Sequence, residues 1–128
     1  MRVALIEDEE VLRDLYKKEF QSVGYVLDGF ANGEEGLAGV KQNKYDVILL
    51  DLMLPGIDGL EILKQIKQDD KTKNTPVIIL TNLGQDEVIR QGFNLGAEGY
   101  LIKSSNSFKE VVEEVQNILN KKGRTVIS

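Results

Sequence analysis

Tyr45-Asp46-Val47-Ile48-Leu49-Leu50-Asp51 is the stretch that decides the fold. Val47 to Leu50 are all apolar and mostly branched, and turn-forming residues follow on the far side. A run of this length reads as a strand buried on both faces. It ends in a carboxylate, Asp51. Three other runs share that design. Val3-Ala4-Leu5-Ile6 leads into Glu7 and Asp8, Val77-Ile78-Ile79-Leu80 into Thr81, and Gly99-Tyr100-Leu101-Ile102 into Lys103. If the strands are parallel, those polar residues meet at one edge of the sheet, where open α/β sheets put their sites.

Between the strands lie helical patterns. Glu9 to about Ser22 carries Val11, Leu12, Leu15, Tyr16 and Phe20 near 3.6-residue spacing. Gly24 follows as a helix stop. Tyr25 to Asp28 or Gly29 reads as a shorter edge strand. Asn32 caps the next helix, with Glu35 three residues on. Leu37, Ala38 and Val40 give that helix an apolar stripe, while Gly33, Gly36 and Gly39 weaken it. After Asp51, Pro55-Gly56 and Asp58-Gly59 shape a loop. The helix beyond it buries Leu60, Leu63 and Ile66, with Ile62 alongside. Asp69 to Thr75 is a polar connection, and Pro76 opens strand four, where a missing N–H is tolerable. Residues 84–95 form a helix with a thin stripe of Val88, Ile89 and Phe93, weakened by Gly92 and ended by Gly96. Ser107 and Glu110 have capping-box spacing. Phe108, Val111, Val112, Val115, Ile118 and Leu119 then mark the clearest helix of the chain. Strand–helix repeated five times implies parallel strands, right-handed crossovers and helices on both faces.

Composition narrows the chemistry. The 128 residues fit one domain, and 41% hydrophobic with 29% charged residues suits a folded globular chain. No apolar run approaches the ~20 residues of a membrane span, and the N-terminus enters a strand directly, without a signal-peptide pattern. The absence of cysteine excludes disulfides and thiolate metal sites and fits a reducing cytoplasm. The absence of histidine removes the commonest general base, so Ser–His and Cys–His catalysis are ruled out. Carboxylates, hydroxyls, lysine and a hard metal ion remain. The net charge of −5 argues against this domain gripping nucleic acid by itself.

Glu7, Asp8 and Asp51 would crowd three negative groups together if their strands are neighbours. Repulsion then raises at least one pKa unless a cation is present. Magnesium suits such a site, because it takes oxygen ligands from a few carboxylates and keeps several waters. Without a partner strand, the same acids would simply be solvated strand ends. Asp51 is the candidate nucleophile, since a carboxylate can attack phosphorus to form an acyl phosphate. Lys103 can pair with a phosphate oxygen or with Asp51 itself. A lone lysine after a strand is more often an ordinary surface residue. Thr81 offers one hydroxyl, and alone it is no more than a β-branched strand residue.

The set Glu7-Asp8, Asp51, Thr81 and Lys103 resembles the receiver domain of two-component response regulators. Three further motifs look similar: Asp51-Leu52-Met53-Leu54-Pro55-Gly56-Ile57-Asp58-Gly59, Thr75-Pro76-Val77-Ile78-Ile79-Leu80-Thr81 and Gly96-Ala97-Glu98-Gly99-Tyr100-Leu101-Ile102-Lys103. The resemblance runs from Val3 to about Asn120. It implies a doubly wound, five-stranded parallel sheet of flavodoxin-like order 2-1-3-4-5. It implies a receiver domain over 1–122, with 123–128 as a tail or truncated linker. It makes Asp51 the phosphoacceptor for a sensor histidine kinase or phosphotransfer protein. Asp8, Asp51 and the backbone carbonyl of Met53 would ligate magnesium, with manganese as an alternative, and Glu7 would act through metal-bound water. Thr81 and Lys103 would hold the phosphoryl group, and Tyr100 matches the family's switch aromatic. Ser104 stands where many members have proline, and Asn82 where the residue is often small.

On this reading the chain is a switch rather than an enzyme, catalysing at most its own phosphorylation and dephosphorylation. The helix over 84–95 is expected to move. With strand five and the last helix it forms the face for a downstream effector or a second copy. Three other readings compete. A flavodoxin-like cofactor binder wants a phosphate loop where this chain has Glu7-Asp8-Glu9-Glu10. An aspartate-nucleophile phosphatase wants a second acid where Met53 stands. A pseudo-receiver would use the fold for docking alone.

Overall fold

The computed structural model describes residues 1–127, with side chains described for residues 1–121. Five strands alternate with helices: β1 (Arg2–Ile6), α1 (Glu10–Gln21), β2 (Val26–Phe30), α2 (Gly33–Gln42), β3 (Val47–Leu50), α3 (Gly59–Gln68), β4 (Val77–Thr81), α4 (Asp86–Asn94), β5 (Gly99–Ile102) and α5 (Phe108–Ile127). A short 3₁₀ turn, Lys103–Ser105, joins β5 to α5. All strand pairings are parallel, in the order β2-β1-β3-β4-β5. The sheet therefore has the doubly wound order the resemblance implies. The sequence predicts a tail or linker over 123–128; those side chains lie outside the described residues.

Strand alternation divides the core into two layers. Ala4, Ile6, Ile48, Leu50, Val77 and Ile79 face Leu37 and Val40 of α2 and Ile62, Leu63 and Ile66 of α3. Val3, Leu5, Val47, Leu49, Ile78 and Leu80 face Tyr16 and Phe20 of α1 and Val111, Val112 and Val115 of α5. Continuous apolar runs are thus required on the three central strands, because both faces are covered. The edge strands are less buried, as β2 shows with exposed Val26 and Gly29 and β5 with half-buried Tyr100, Leu101 and Ile102.

Several helix faces differ from the sequence reading. In α1 only Tyr16 and Phe20 are buried. Val11 and Leu15 lie on the outer flank, at 71% and 39% exposure. In α2 Ala38 is exposed, and the three glycines are buried with Leu37 and Val40. Those glycines let the helix approach the sheet. A Cβ on Gly39 would fall 2.3 Å from Phe30 Cζ, and one on Gly36 would fall 2.5 Å from Ile6 Cδ1. Gly39→Ala gains up to about 1 kcal/mol of helix propensity but overpacks the interface by about 1–3 kcal/mol. A net loss of about 1 kcal/mol in denaturant unfolding is expected; a stabilised variant would contradict the packing account.

The same holds for α4. Gly92 is its one buried residue. A Cβ there would stand 2.6 Å from Ile79 Cδ1. Val88 and Ile89 are half-buried, and Phe93 is exposed. The polar connection 69–75 is tied down: Thr72 is buried and its hydroxyl donates to the Ile66 carbonyl at 2.7 Å. Lys67 Nζ donates to the Thr75 carbonyl at 3.0 Å and to Glu98 Oε1 at 3.0 Å.

Candidate functional site

Register brings the site together. Ile6 pairs with Leu50, and Leu50 with Ile79, so β1, β3 and β4 run level toward their carboxyl ends. One residue beyond the first pair lie Glu7 and Asp51. On the other side Thr81 pairs with Ile102, one residue before Lys103. The condition on which the acid cluster depended, adjacency of β1 and β3, is met.

Glu7 is fully buried, Asp51 is 4% exposed, and Asp8 is exposed to solvent. Carboxylate oxygens of all three lie within 4.8 Å of one another. Lys103 extends its side chain between them. Its Nζ donates to Asp51 Oδ2 at 2.7 Å and also to Glu7 Oε1. Backbone N–H groups hold the second oxygens of Glu7 and Asp51. The Glu9 N–H donates to Glu7 Oε2 at 3.0 Å, and the Met53 N–H donates to Asp51 Oδ1 at 3.0 Å. Arg13 reaches back from α1 and donates to the Glu7 carbonyl at 2.8 Å, which fixes the β1–α1 turn. Sequence reading missed Arg13; the signal was a cation one helical turn past the acidic start of α1.

Burial pushes the Glu7 carboxyl above its usual range, with Lys103 acting against that rise. For Lys103 burial acts to lower the pKa, but the bonds to Asp51 and Glu7 together outweigh it and raise it. The ammonium is therefore held charged between two carboxylates. Donors to a cation would all be oxygen, two from buried carboxylates and one from the solvent side, which is the chemistry of a hard divalent ion that keeps waters. A thiolate- or imidazole-preferring metal finds no ligand here.

Thr81 is buried, and its Oγ1 accepts the Leu83 N–H at 3.5 Å. Tyr100 is half-buried at the outer edge. Its hydroxyl donates to the Leu83 carbonyl at 2.6 Å, and its ring lies 6.5 Å from that of Phe93. Met53 is 55% exposed beside the acids. Glu7, Asp8, Asp51, Met53, Thr81 and Lys103 thus lie at the carboxyl edge, while Tyr100 sits inside β5, paired with Ile79, and faces α4 rather than the acid cluster.

Fold and site together define an open α/β domain with an acid-and-lysine centre at the carboxyl edge of its sheet. The chain belongs to the response regulator receiver domain family, whose model matches residues 3–123. It is 36% identical over 124 residues to the transcriptional regulatory protein ResD of Bacillus subtilis (strain 168), covering 97% of this chain and 50% of that protein. The chain spans about half the length of the curated relatives it matches. Among solved structures it resembles the Vibrio cholerae chemotaxis protein CheY4, with a TM-score of 0.85, 27% identity and coverage of 91% of this chain and 97% of that one. It also resembles the Mn(2+)-bound form of response regulator Rcp1, with a TM-score of 0.78, 29% identity and coverage of 91% and 90%. Among the described residues no helix is long and apolar enough to cross a membrane.

Proposed function

We propose that this domain accepts a phosphoryl group on Asp51 from a sensor histidine kinase or phosphotransfer protein and relays its arrival through the α4–β5–α5 face. The observation that carries the reading is the buried Asp51 carboxylate, paired with Lys103 and crowded by Glu7 and Asp8. An Asp51 oxygen attacks phosphorus, the donor's phosphorus–nitrogen bond breaks, and an acyl phosphate remains. The imidazole leaves with the electron pair of that bond. Asp8, Asp51 and the Met53 carbonyl would hold a magnesium or manganese ion, and Glu7 would bind it through water. When bound, that ion neutralises charge on the transferring group.

Lys103 has a second partner ready, because its ammonium can pass from Asp51 to a phosphoryl oxygen. Thr81 would donate its free hydroxyl proton to a phosphoryl oxygen, and moving toward that oxygen would strain the long bond that its Oγ1 accepts from the Leu83 N–H. A pull on the 82–85 loop is felt at Tyr100 through the Leu83 carbonyl. The phosphoryl group adds roughly 1.5 to 2 negative charges to a site already rich in acid, and this differential interaction is what drives the switch. We take 1–122 as the receiver unit, cytoplasmic in location. The output partner is a downstream effector or a second copy meeting α4–β5–α5.

The test is acyl-phosphate formation with magnesium and a phosphorylated kinase or acetyl phosphate. Acid-stable, base-labile phosphate is expected on the wild type and at least a thousandfold less on Asp51→Asn. Failure of any donor to give magnesium-dependent, Asp51-dependent phosphate would remove the reading and favour a phosphorylation-independent docking module.

A further inference from the structure

Lys103 performs its part from a loop, so something must hold that loop. The 3₁₀ turn Lys103–Ser105 has no side-chain cap of its own at Ile102. The first N–H groups of any helical turn lack partners inside it. Here the Ser104 N–H donates to Asn82 Oδ1 at 2.9 Å, across from the β4–α4 loop. On the other side of Lys103, Asn106 Nδ2 donates to the Ile102 carbonyl at 2.9 Å. The backbone on both sides of Lys103 is thus pinned by a carboxamide. Asn106 is local, but Asn82 comes from the residue after Thr81. Asn82 and Lys103 each follow the last register pair of their strands, Thr81 and Ile102. One hydrogen bond therefore joins the loop that carries the candidate hydroxyl to the loop that carries the candidate cation.

We propose that Asn82 is a positioning residue for Lys103. By capping Ser104 it fixes the backbone from which the ammonium reaches Asp51, and it makes the β4–α4 and β5–α5 loops move as one. This rests on the phosphoacceptor reading for its consequence, but the strap itself does not. Asn82 touches no reacting atom. Both partners are solvent-exposed, so water can replace either one, and the effect is a few-fold change rather than the loss of a buried group.

The experiment compares the wild type with Asn82→Ala and Asn82→Asp, in the full chain. Asn82→Ala deletes the acceptor, while Asn82→Asp keeps one. Amide hydrogen exchange at Ser104 is measured first, without magnesium or phosphodonor. It should speed up roughly three- to tenfold in Asn82→Ala and return to the wild-type rate in Asn82→Asp. Exchange in β3 and α5 should not change, which shows the fold intact. The Lys103 Cε resonance should shift in Asn82→Ala, since the side chain loses its fixed base. Acyl-phosphate formation from acetyl phosphate with magnesium should slow by a similar three- to tenfold factor.

Unchanged Ser104 exchange in Asn82→Ala overturns the proposal. So does faster exchange with the Lys103 resonance and the phosphorylation rate both unmoved. If the wild type forms no Asp51-dependent phosphate, the phosphoacceptor reading fails instead. Ser104 exchange and the Lys103 resonance then still decide whether Asn82 positions Lys103.

Discussion

Replacing Lys103 with methionine is expected to cost about 3 kcal/mol of unfolding free energy near neutral pH in chelator, with much of the loss regained on adding magnesium. Two carboxylates, one fully buried and one 4% exposed, would lose the ammonium that pairs with both. Removing one partner of a buried ion pair leaves uncompensated charge, which costs more than the pair contributed. The deficit should depend on pH, and its sign follows from Glu7. Burial already raises the Glu7 pKa above 4.5, and Lys103 holds the rise in check. Without Lys103 the folded pKa climbs further above the unfolded one. Glu7 then contributes stability that is fully present below its unfolded pKa and lost as pH rises through the raised folded value. Wild type and variant should therefore converge toward pH 4.5 and separate toward pH 8.

A magnesium ion held by Asp8 and Asp51 would supply the missing positive charge beside Glu7, and would stabilise by mass action because only the folded chain would offer the site. It should bind the variant more tightly than the wild type, where it competes with the ammonium. Denaturant titrations across pH, with and without magnesium, measure all of this. A deficit that is flat in pH would show that the charge account is wrong. A variant that magnesium does not stabilise would show that the carboxylates are not a cation site.

Gly59→Ala should be the most damaging of the glycine substitutions. A Cβ on Gly59 would lie 2.4 Å from Leu52 Cα and 2.8 Å from the Leu52 carbonyl oxygen. Those are backbone atoms, so no rotamer change relieves the clash. Gly59 is also the first residue of α3, where Asp58 Oδ1 already accepts the Leu60 N–H at 2.9 Å and holds the helix start in place. The strain must therefore move Leu52, and Leu52 is bonded directly to Asp51. A loss of about 3 kcal/mol in stability is expected, at the upper end for overpacking. With it should come at least a tenfold drop in acyl-phosphate formation.

Gly56 is the control. It has φ +89° and nothing within 4 Å of a built Cβ, so Gly56→Ala meets only backbone strain of about 1 kcal/mol. If Gly59→Ala is no less stable than Gly56→Ala and is phosphorylated at the wild-type rate, contact with Leu52 does not hold Asp51 in place.

The helices show where a one-dimensional pattern stops being informative. Apolar periodicity located all five, because each must bury one face. It mis-stated which residues are buried in α1, α2 and α4. Val11, Leu15 and Ala38 fit a helical stripe yet are exposed, since the sheet covers a narrower arc than the stripe. The glycines of α2 and α4 look like helix defects by propensity. They are points of close approach, and only the position of Phe30, Ile6 or Ile79 reveals that. The bond from Ser104 to Asn82 was equally hidden, because it joins loops 22 residues apart.

The sequence by itself determined the parallel α/β architecture and the list of candidate residues. Buried runs ending in Glu7, Asp51, Thr81 and Lys103 carry that information locally, strand by strand. Only the tertiary structure decided that these ends form one site. Register made β1, β3 and β4 level, burial took Glu7 and Asp51 out of solvent, and the Lys103 ammonium then became their shared partner. The reason is physical: a carboxylate's environment is set by what packs around it, and those neighbours come from the ends of other strands.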